Sequence, residues 1–247
     1  MVDSHRAIAG YLRERRESLG LSRAALARRA DVSEGLIQKL EQGTRPPTAT
    51  ALSALFDALE VPSIFRDHAA MVLEIELTGG AGAILELTWV ELDFLESIPY
   101  PACYHTGPTL DLIATNTAYA QAFPGQKPGM SVIEWLLLDS RAREVVEDWE
   151  REAHMAVQSL RHLAPGIAAP ERIDEIVARC EESPDWHRLW TTDITANVLP
   201  WRPVRIRLLD GGEWTPMHVQ NMRCEVPRQG LWLYSMVPIR EPELAAE

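Results

Sequence analysis

Two short helical runs, each opened by a serine and joined by a tight turn, constrain this chain more than any other feature. Ser22 stands ahead of Arg23–Ala30, where Leu26 and Ala30 form an i, i+4 apolar pair. Ser33 stands ahead of a second run reaching about Gln42, with Ile37 and Leu40 at helical spacing and Gly43 as a stop. Serine is a strong N-cap because its hydroxyl oxygen accepts a backbone N–H that the first helical turn leaves unpaired. A link as short as Asp31–Val32 makes the two helices cross steeply, so the second projects from the body with a shape that fits a major groove.

With Ile37 and Leu40 turned inward, helical rotation turns Gly35, Gln38 and Gln42 outward, flanked by Glu34 and Lys39. Ser33, Glu34 and Gln38 are the candidate base readers. Glutamine bonds adenine in bidentate fashion, and glutamate accepts from cytosine N4. Gly35 has no side chain to read with but permits close approach. Arg23, Lys39 and Arg45 are placed to contact phosphate, which fixes register without reading sequence.

Three further helical segments flank this pair. The first runs His5–Leu19, with Ile8, Leu12 and Leu19 expected on one buried face. A fourth follows Thr48 and buries Leu52, Leu55, Phe56 and Leu59. A fifth starts near Ser63 and offers Ile64, Met71 and Leu73. Charge marks the same region. The chain carries a net −12, yet the first 47 residues hold nine Arg/Lys against six Asp/Glu, and the remainder holds fifteen against thirty. A basic module on an acidic body is the asymmetry expected of a nucleic-acid binder whose body stays away from phosphate.

The string Leu21-Ser-Arg-Ala-Ala-Leu-Ala-Arg-Arg-Ala-Asp-Val-Ser33, followed by Leu36-Ile-Gln-Lys-Leu-Glu-Gln-Gly43, resembles the Xre/Cro-type helix-turn-helix of bacterial regulators. Asp31 stands where that family usually has glycine, and Arg23 where it commonly has glutamine. Asp tolerates the left-handed conformation of such a turn better than most residues. The resemblance implies a regulator that binds double-stranded operator DNA in a sequence-specific way.

Thr78-Gly-Gly-Ala-Gly82 reads as a flexible boundary, giving a DNA-binding domain over 1–77, a linker with a short helix (Thr88–Ser97) over 78–98, and a second domain over 99–247. There, Ala102–Thr106 and Leu110–Thr115 read as a hairpin around Gly107-Pro108. Asn116 caps a helix over Thr117–Phe123, and a long helix is expected over Ser140–Leu163. Shorter helices follow near Glu171–Glu181 and Pro184–Trp190. Strands close the chain at Val204–Leu209, Trp214–Cys224 and Leu231–Pro238. The fold class is therefore an all-α helix-turn-helix domain followed by an α+β domain, an antiparallel sheet with helices expected on one side.

This half resembles the MmyB-like ligand-binding domain, a PAS-like fold. The residues that carry the likeness are Asp111–Asn116 (DLIATN), Trp135–Arg143 (WLLLDSRAR), Asp148–Arg161 (DWEREAHMAVQSLR) and Trp186–Ile194 (WHRLWTTDI). The family's His-Pro-x-Gly turn is not evident over Trp201–Val219. The resemblance implies a pocket for a small apolar ligand such as a fatty acid. All eight tryptophans lie beyond residue 88, and Tyr104, Tyr119, Phe123, Trp135, Trp149 and Trp190 are candidates to line a cavity, with Trp186 beside them. Asn116, His154 and Arg161 are candidates to orient a polar end. For each aromatic the competing expectation is a filled core, and for Asn116 a helix cap.

Neither a catalytic signature nor a metal site is read from the sequence. HExxH, GxSxG, P-loop and CxxC patterns are absent, and His154 and His162 sit eight residues apart. Cys103 and His105 share a strand face, a thin pairing for metal or nucleophile. Three scattered cysteines suit a reducing cytoplasm, and no membrane association or cofactor is expected. Because one recognition helix spans only a few base pairs, a homodimer reading two half-sites is expected. Two alternatives stand beside ligand sensing: a second domain that binds a partner protein, and a DNA-tethered enzyme.

Overall fold

The fold is described from a computed structural model, which describes residues 4–61, 66, 86–165, 167–192, 203–224 and 230–239. These fall into two compact units. One takes the described residues of Met1–Gly80 and Leu160–Pro170; the other takes those of Ala81–Ser159, Glu171–Ile194 and Pro200–Glu247.

The first unit is helical. It holds α1 (Ser4–Ser18), α2 (Arg23–Ala30), α3 (Glu34–Glu41) and α4 (Ala49–Ala58). Ile8 and Leu12 of α1, Leu26 and Ala30 of α2, Ile37 and Leu40 of α3, and Leu52, Leu55 and Phe56 of α4 share one apolar core. Leu59 and Val61 close it below α4. Leu19 departs from the expectation. The helix ends at Ser18, Gly20 turns the chain at φ +64°, and Leu19 is left exposed in the turn. The segment Leu160–Pro170 contributes Leu163 and Ile167 to the same core. The fifth helical segment, with Ile64, Met71 and Leu73, lies outside the described residues.

The second unit is a five-stranded antiparallel sheet in the order β2-β1-β5-β4-β3. Its strands are β1 (Ala102–His105), β2 (Leu112–Thr115), β3 (Val204–Ile206), β4 (Thr215–Arg223) and β5 (Trp232–Pro238). Helix α5 (Trp89–Ser97) precedes β1. Among the described residues six helices lie between β2 and β3: α6 (Thr117–Ala122), α7 (Val132–Leu138), α8 (Ser140–Val145), α9 (Trp149–Leu163), α10 (Pro170–Cys180) and α11 (Trp186–Thr191).

Helices cover both faces of the sheet rather than one. Strand alternation puts Ala102 and Tyr104 on the face where Leu95 of α5 packs with Ala114, Leu231 and Leu233. Cys103 lies opposite Tyr234 on the other face, where Tyr119 of α6 meets Tyr234 edge to face. Thr88 opens α5 with a capping box: its Oγ1 accepts the Glu91 N–H, and the Glu91 carboxylate accepts the Thr88 N–H.

Two further departures have physical causes. The run expected as one helix over Ser140–Leu163 breaks at Val146, which is extended and bridges to Ile206; the Glu147 N–H donates to the Arg205 carbonyl. Edge pairing to β3 outweighs helical continuity where two β-branched valines stand together. Helix α7 gives no periodic signal because Ile133, Glu134, Trp135, Leu136 and Leu137 are all buried, and a helix enclosed all round has no amphipathic stripe.

Candidate functional sites

The exposed face of α3 is built by its caps and by one buried carboxylate. Ser22 Oγ accepts the Ala25 N–H at 3.1 Å, and Ser33 Oγ accepts the Leu36 N–H at 3.2 Å. Asp31 takes the left-handed conformation, φ 52°, ψ 46°, that the turn requires. Ile37 and Leu40 point inward, and Ser33, Glu34, Gly35, Gln38, Lys39 and Gln42 are all exposed. Ser33 spends its oxygen on the cap and keeps its hydroxyl proton as a donor. Arg45 is exposed beyond the helix. A Cβ added at Gly35 would meet nothing within 4 Å, so the glycine serves no internal packing.

Glu41, the acidic residue of the LEQG string, is what fixes this helix in place. Its side chain is 2% exposed and accepts from Arg16 Nε at 2.6 Å, Arg16 Nη2 at 3.2 Å and Arg23 Nε at 2.8 Å. Arg16 also donates from Nη1 to the Leu21 carbonyl at 2.8 Å, and the Glu41 hydrogen bond holds its pKa above the ordinary arginine value. One carboxylate thus ties α3 to α1 and α2. Arg23, expected only as a phosphate contact, has its Nε committed to Glu41 while its side chain stays 37% exposed. Pattern reading passes over Glu41 because a charged side chain on an exposed helix and a buried one look alike in a single sequence.

The residues singled out in the second domain do not form one group. Tyr119, Phe123 and Trp135 do come together. Ring centroids are 4.8 Å apart for Tyr119–Phe123 and 5.9 Å for Phe123–Trp135, and Tyr234 extends the row at 6.4 Å from Tyr119. Tyr119 donates to Gln126 Oε1 at 2.8 Å and Trp135 Nε1 to the Pro124 carbonyl at 3.1 Å. Burial pushes the Cys103 thiol up to about 12 and raises the phenols of Tyr119 and Tyr234, so all three are neutral near pH 7. Tyr234 and Cys103 carried no sequence signal for this cluster, because only strand register brings them opposite one another.

The other candidates go elsewhere. Tyr104 faces α5, across the sheet from Tyr119. Asn116 has all its bonding capacity used. Its Oδ1 accepts from Ala102 N (3.0 Å) and Tyr119 N (2.8 Å), and its Nδ2 donates to the carbonyls of Ile98 (2.9 Å) and Tyr100 (2.8 Å). It brackets α5, β1 and α6, so nothing is left for a ligand. Trp149 donates to the Leu136 carbonyl at 2.6 Å beneath the Arg143 guanidinium, which lies 3.4 Å from its ring centroid. His154 Nε2 donates to the Thr192 carbonyl at 2.6 Å, and the Trp190 ring lies tilted against Trp186, centroids 4.7 Å apart. Arg161 lies in the first unit, paired with Glu14.

Comparison with known protein families matches both halves of the chain. The MmyB-like transcription regulator ligand binding domain matches residues 92–246, and a helix-turn-helix domain matches residues 7–69. No curated protein matches the chain significantly.

Proposed function

Since the chain belongs to the MmyB-like transcription regulators and carries a DNA-binding helix-turn-helix domain ahead of that family's ligand-binding domain, we propose that it reads operator DNA with α3 as a cytoplasmic homodimer, under control of a small apolar ligand such as a fatty acid. The observation that carries the DNA reading is the row of exposed residues from Ser33 to Gln42 on a helix whose inner face is locked by Glu41. Ser33, Glu34 and Gln38 read base edges; Arg23, Lys39 and Arg45 contact phosphate. Arg28 and Arg29, exposed in the last turn of α2, add positive charge to the same unit.

Fluorescence anisotropy with operator DNA tests this. Gln38→Ala costs about 1–3 kcal/mol of affinity and relaxes preference at one position. Unchanged affinity and preference would remove α3 from the groove.

The apolar character of the ligand is supported by the Tyr119–Phe123–Trp135–Tyr234 row beside Cys103, whose titratable members are all neutral near pH 7. Native mass spectrometry of gently purified protein should retain a small hydrophobic molecule. A bare protein that fatty acids fail to stabilise against heat would count against a lipid. A second reading has its own support: the rings touch and their polar atoms are satisfied by protein, as in a filled core whose domain binds a partner protein.

A further inference from the structure

The buried carboxylate of α3 has one more donor than its charge requires. Arg16 alone meets both Glu41 oxygens, Nε to Oε1 at 2.6 Å and Nη2 to Oε2 at 3.2 Å, and the two side chains are 9% and 2% exposed. That pair is already charge-matched. Arg23 adds a third bond, Nε to Oε2 at 2.8 Å, from a side chain that is 37% exposed. The bond uses Nε only, and among the described residues neither Nη of Arg23 has a protein partner. The trio therefore keeps one net positive charge, on the arginine that reaches solvent.

We propose that Glu41 is a positioning residue for DNA binding: it holds the Arg23 guanidinium as a fixed, two-pronged clamp for one phosphate. The inference rests on the phosphate role given to Arg23 above and says what makes that contact efficient. With Nε–H committed to Glu41, the end carrying Nη1 and Nη2 still offers parallel N–H donors, which suit two oxygens of one phosphate. Side-chain freedom decides in favour of a clamp. Immobilising a long side chain on binding weakens affinity by about two- to tenfold, and for Arg23 that ordering is already done on folding. Lys39 and Arg45 are exposed, and among the described residues no carboxylate holds them, so they are ordered only at the DNA. A purely structural arginine is the competing account. Arg16 leaves it little to do, because Glu41 is charge-matched and hydrogen-bonded without Arg23.

The test is fluorescence anisotropy of the full-length protein with a labelled duplex of about 30 base pairs and mixed sequence, since phosphate contacts bind any duplex. Glu41→Gln keeps the side-chain shape and removes a negative charge, which by attraction alone would tighten binding. The clamp predicts the opposite: affinity falls about fivefold when Arg23 is present and does not fall in an Arg23→Ala background. No loss when Arg23 is present, or a loss of equal size in both backgrounds, would overturn it. Arg23→Lys leaves the Glu41–Arg16 pair intact, so it melts like wild type and decides the matter even where Glu41→Gln fails to fold. Lysine cannot bond Glu41 and fork a phosphate at once, so affinity is expected to drop about fivefold; wild-type affinity with lysine overturns the clamp. Lys39→Ala separates the underlying reading. If it weakens binding while the Arg23 variants do not, the clamp alone fails; if neither weakens binding, the phosphate role of α2 and α3 fails with it.

Discussion

At the scale of single residues, Glu41 and Gly35 make opposite demands on α3. Glu41 is nearly inaccessible and holds two arginines, so replacing it with alanine leaves Arg16, itself 9% exposed, with only the half-exposed Glu17 carboxylate and the Leu21 carbonyl as partners. Removing one partner of a buried pair costs about 3–5 kcal/mol, and urea denaturation of Glu41→Ala should show a loss of that order. Gly35 is the reverse case. It sits in a helix with open space around its absent Cβ, so Gly35→Ala should raise stability by about 0.5–1 kcal/mol. If α3 enters the groove as proposed, the same methyl weakens operator binding. Denaturation and anisotropy on one variant therefore separate a fold-level glycine from a DNA-level one; tighter or unchanged DNA binding would mean Gly35 is not at the interface.

Among the elements, α8 shows how short helices are held. Asp139 caps it by accepting the Arg141 N–H at 3.0 Å, and its carboxylate takes the Arg141 guanidinium at 2.8 and 2.5 Å. The Arg141 hydrogen bond holds the Asp139 pKa below its ordinary value, and the bonds from Arg188 and Arg143 do the same for Asp185 ahead of α11. Groups with a lowered folded pKa contribute stability above the unfolded value, about 3.9, and lose it as pH falls through the lowered folded value. Melting temperature should thus decline below about pH 4, and Asp139→Asn should be less stable than wild type at pH 7 with a shallower acid decline. Parallel acid curves for the two proteins would contradict that account. Most element boundaries were legible because caps and periodicity are local; α7 was not, because its five central residues, Ile133 to Leu137, are all buried and leave no period.

On the scale of the whole molecule, charge separates the two functions along the sequence. The basic N-terminal region carries the proposed phosphate contacts, and the acidic remainder adds none. A dimer using Arg23, Lys39 and Arg45 from each copy makes six phosphate contacts, so log affinity against log salt should have a slope of about −5. Lys39→Ala should reduce it by about 2 in such a dimer, and near-uniformly across sequences, unlike Gln38→Ala. A slope near zero would mean that α3 does not bind through phosphate.

The sequence by itself determined the helix-turn-helix. Serine caps, the left-handed Asp31 and the Ile37–Leu40 pair act over a few residues, so local chemistry settles the geometry of α2 and α3. It also marked the antiparallel hairpin and the later strands. Tertiary structure alone decided which residues share a site. Tyr104 and Cys103 are adjacent in sequence yet fall on opposite sheet faces; Tyr234 reaches Tyr119 only through the β1–β5 register; Asn116 is consumed by four backbone partners on three elements. Local patterns report which way a side chain turns relative to its own element. What that side chain then meets depends on strand order and burial, and those are fixed by the packing of distant segments.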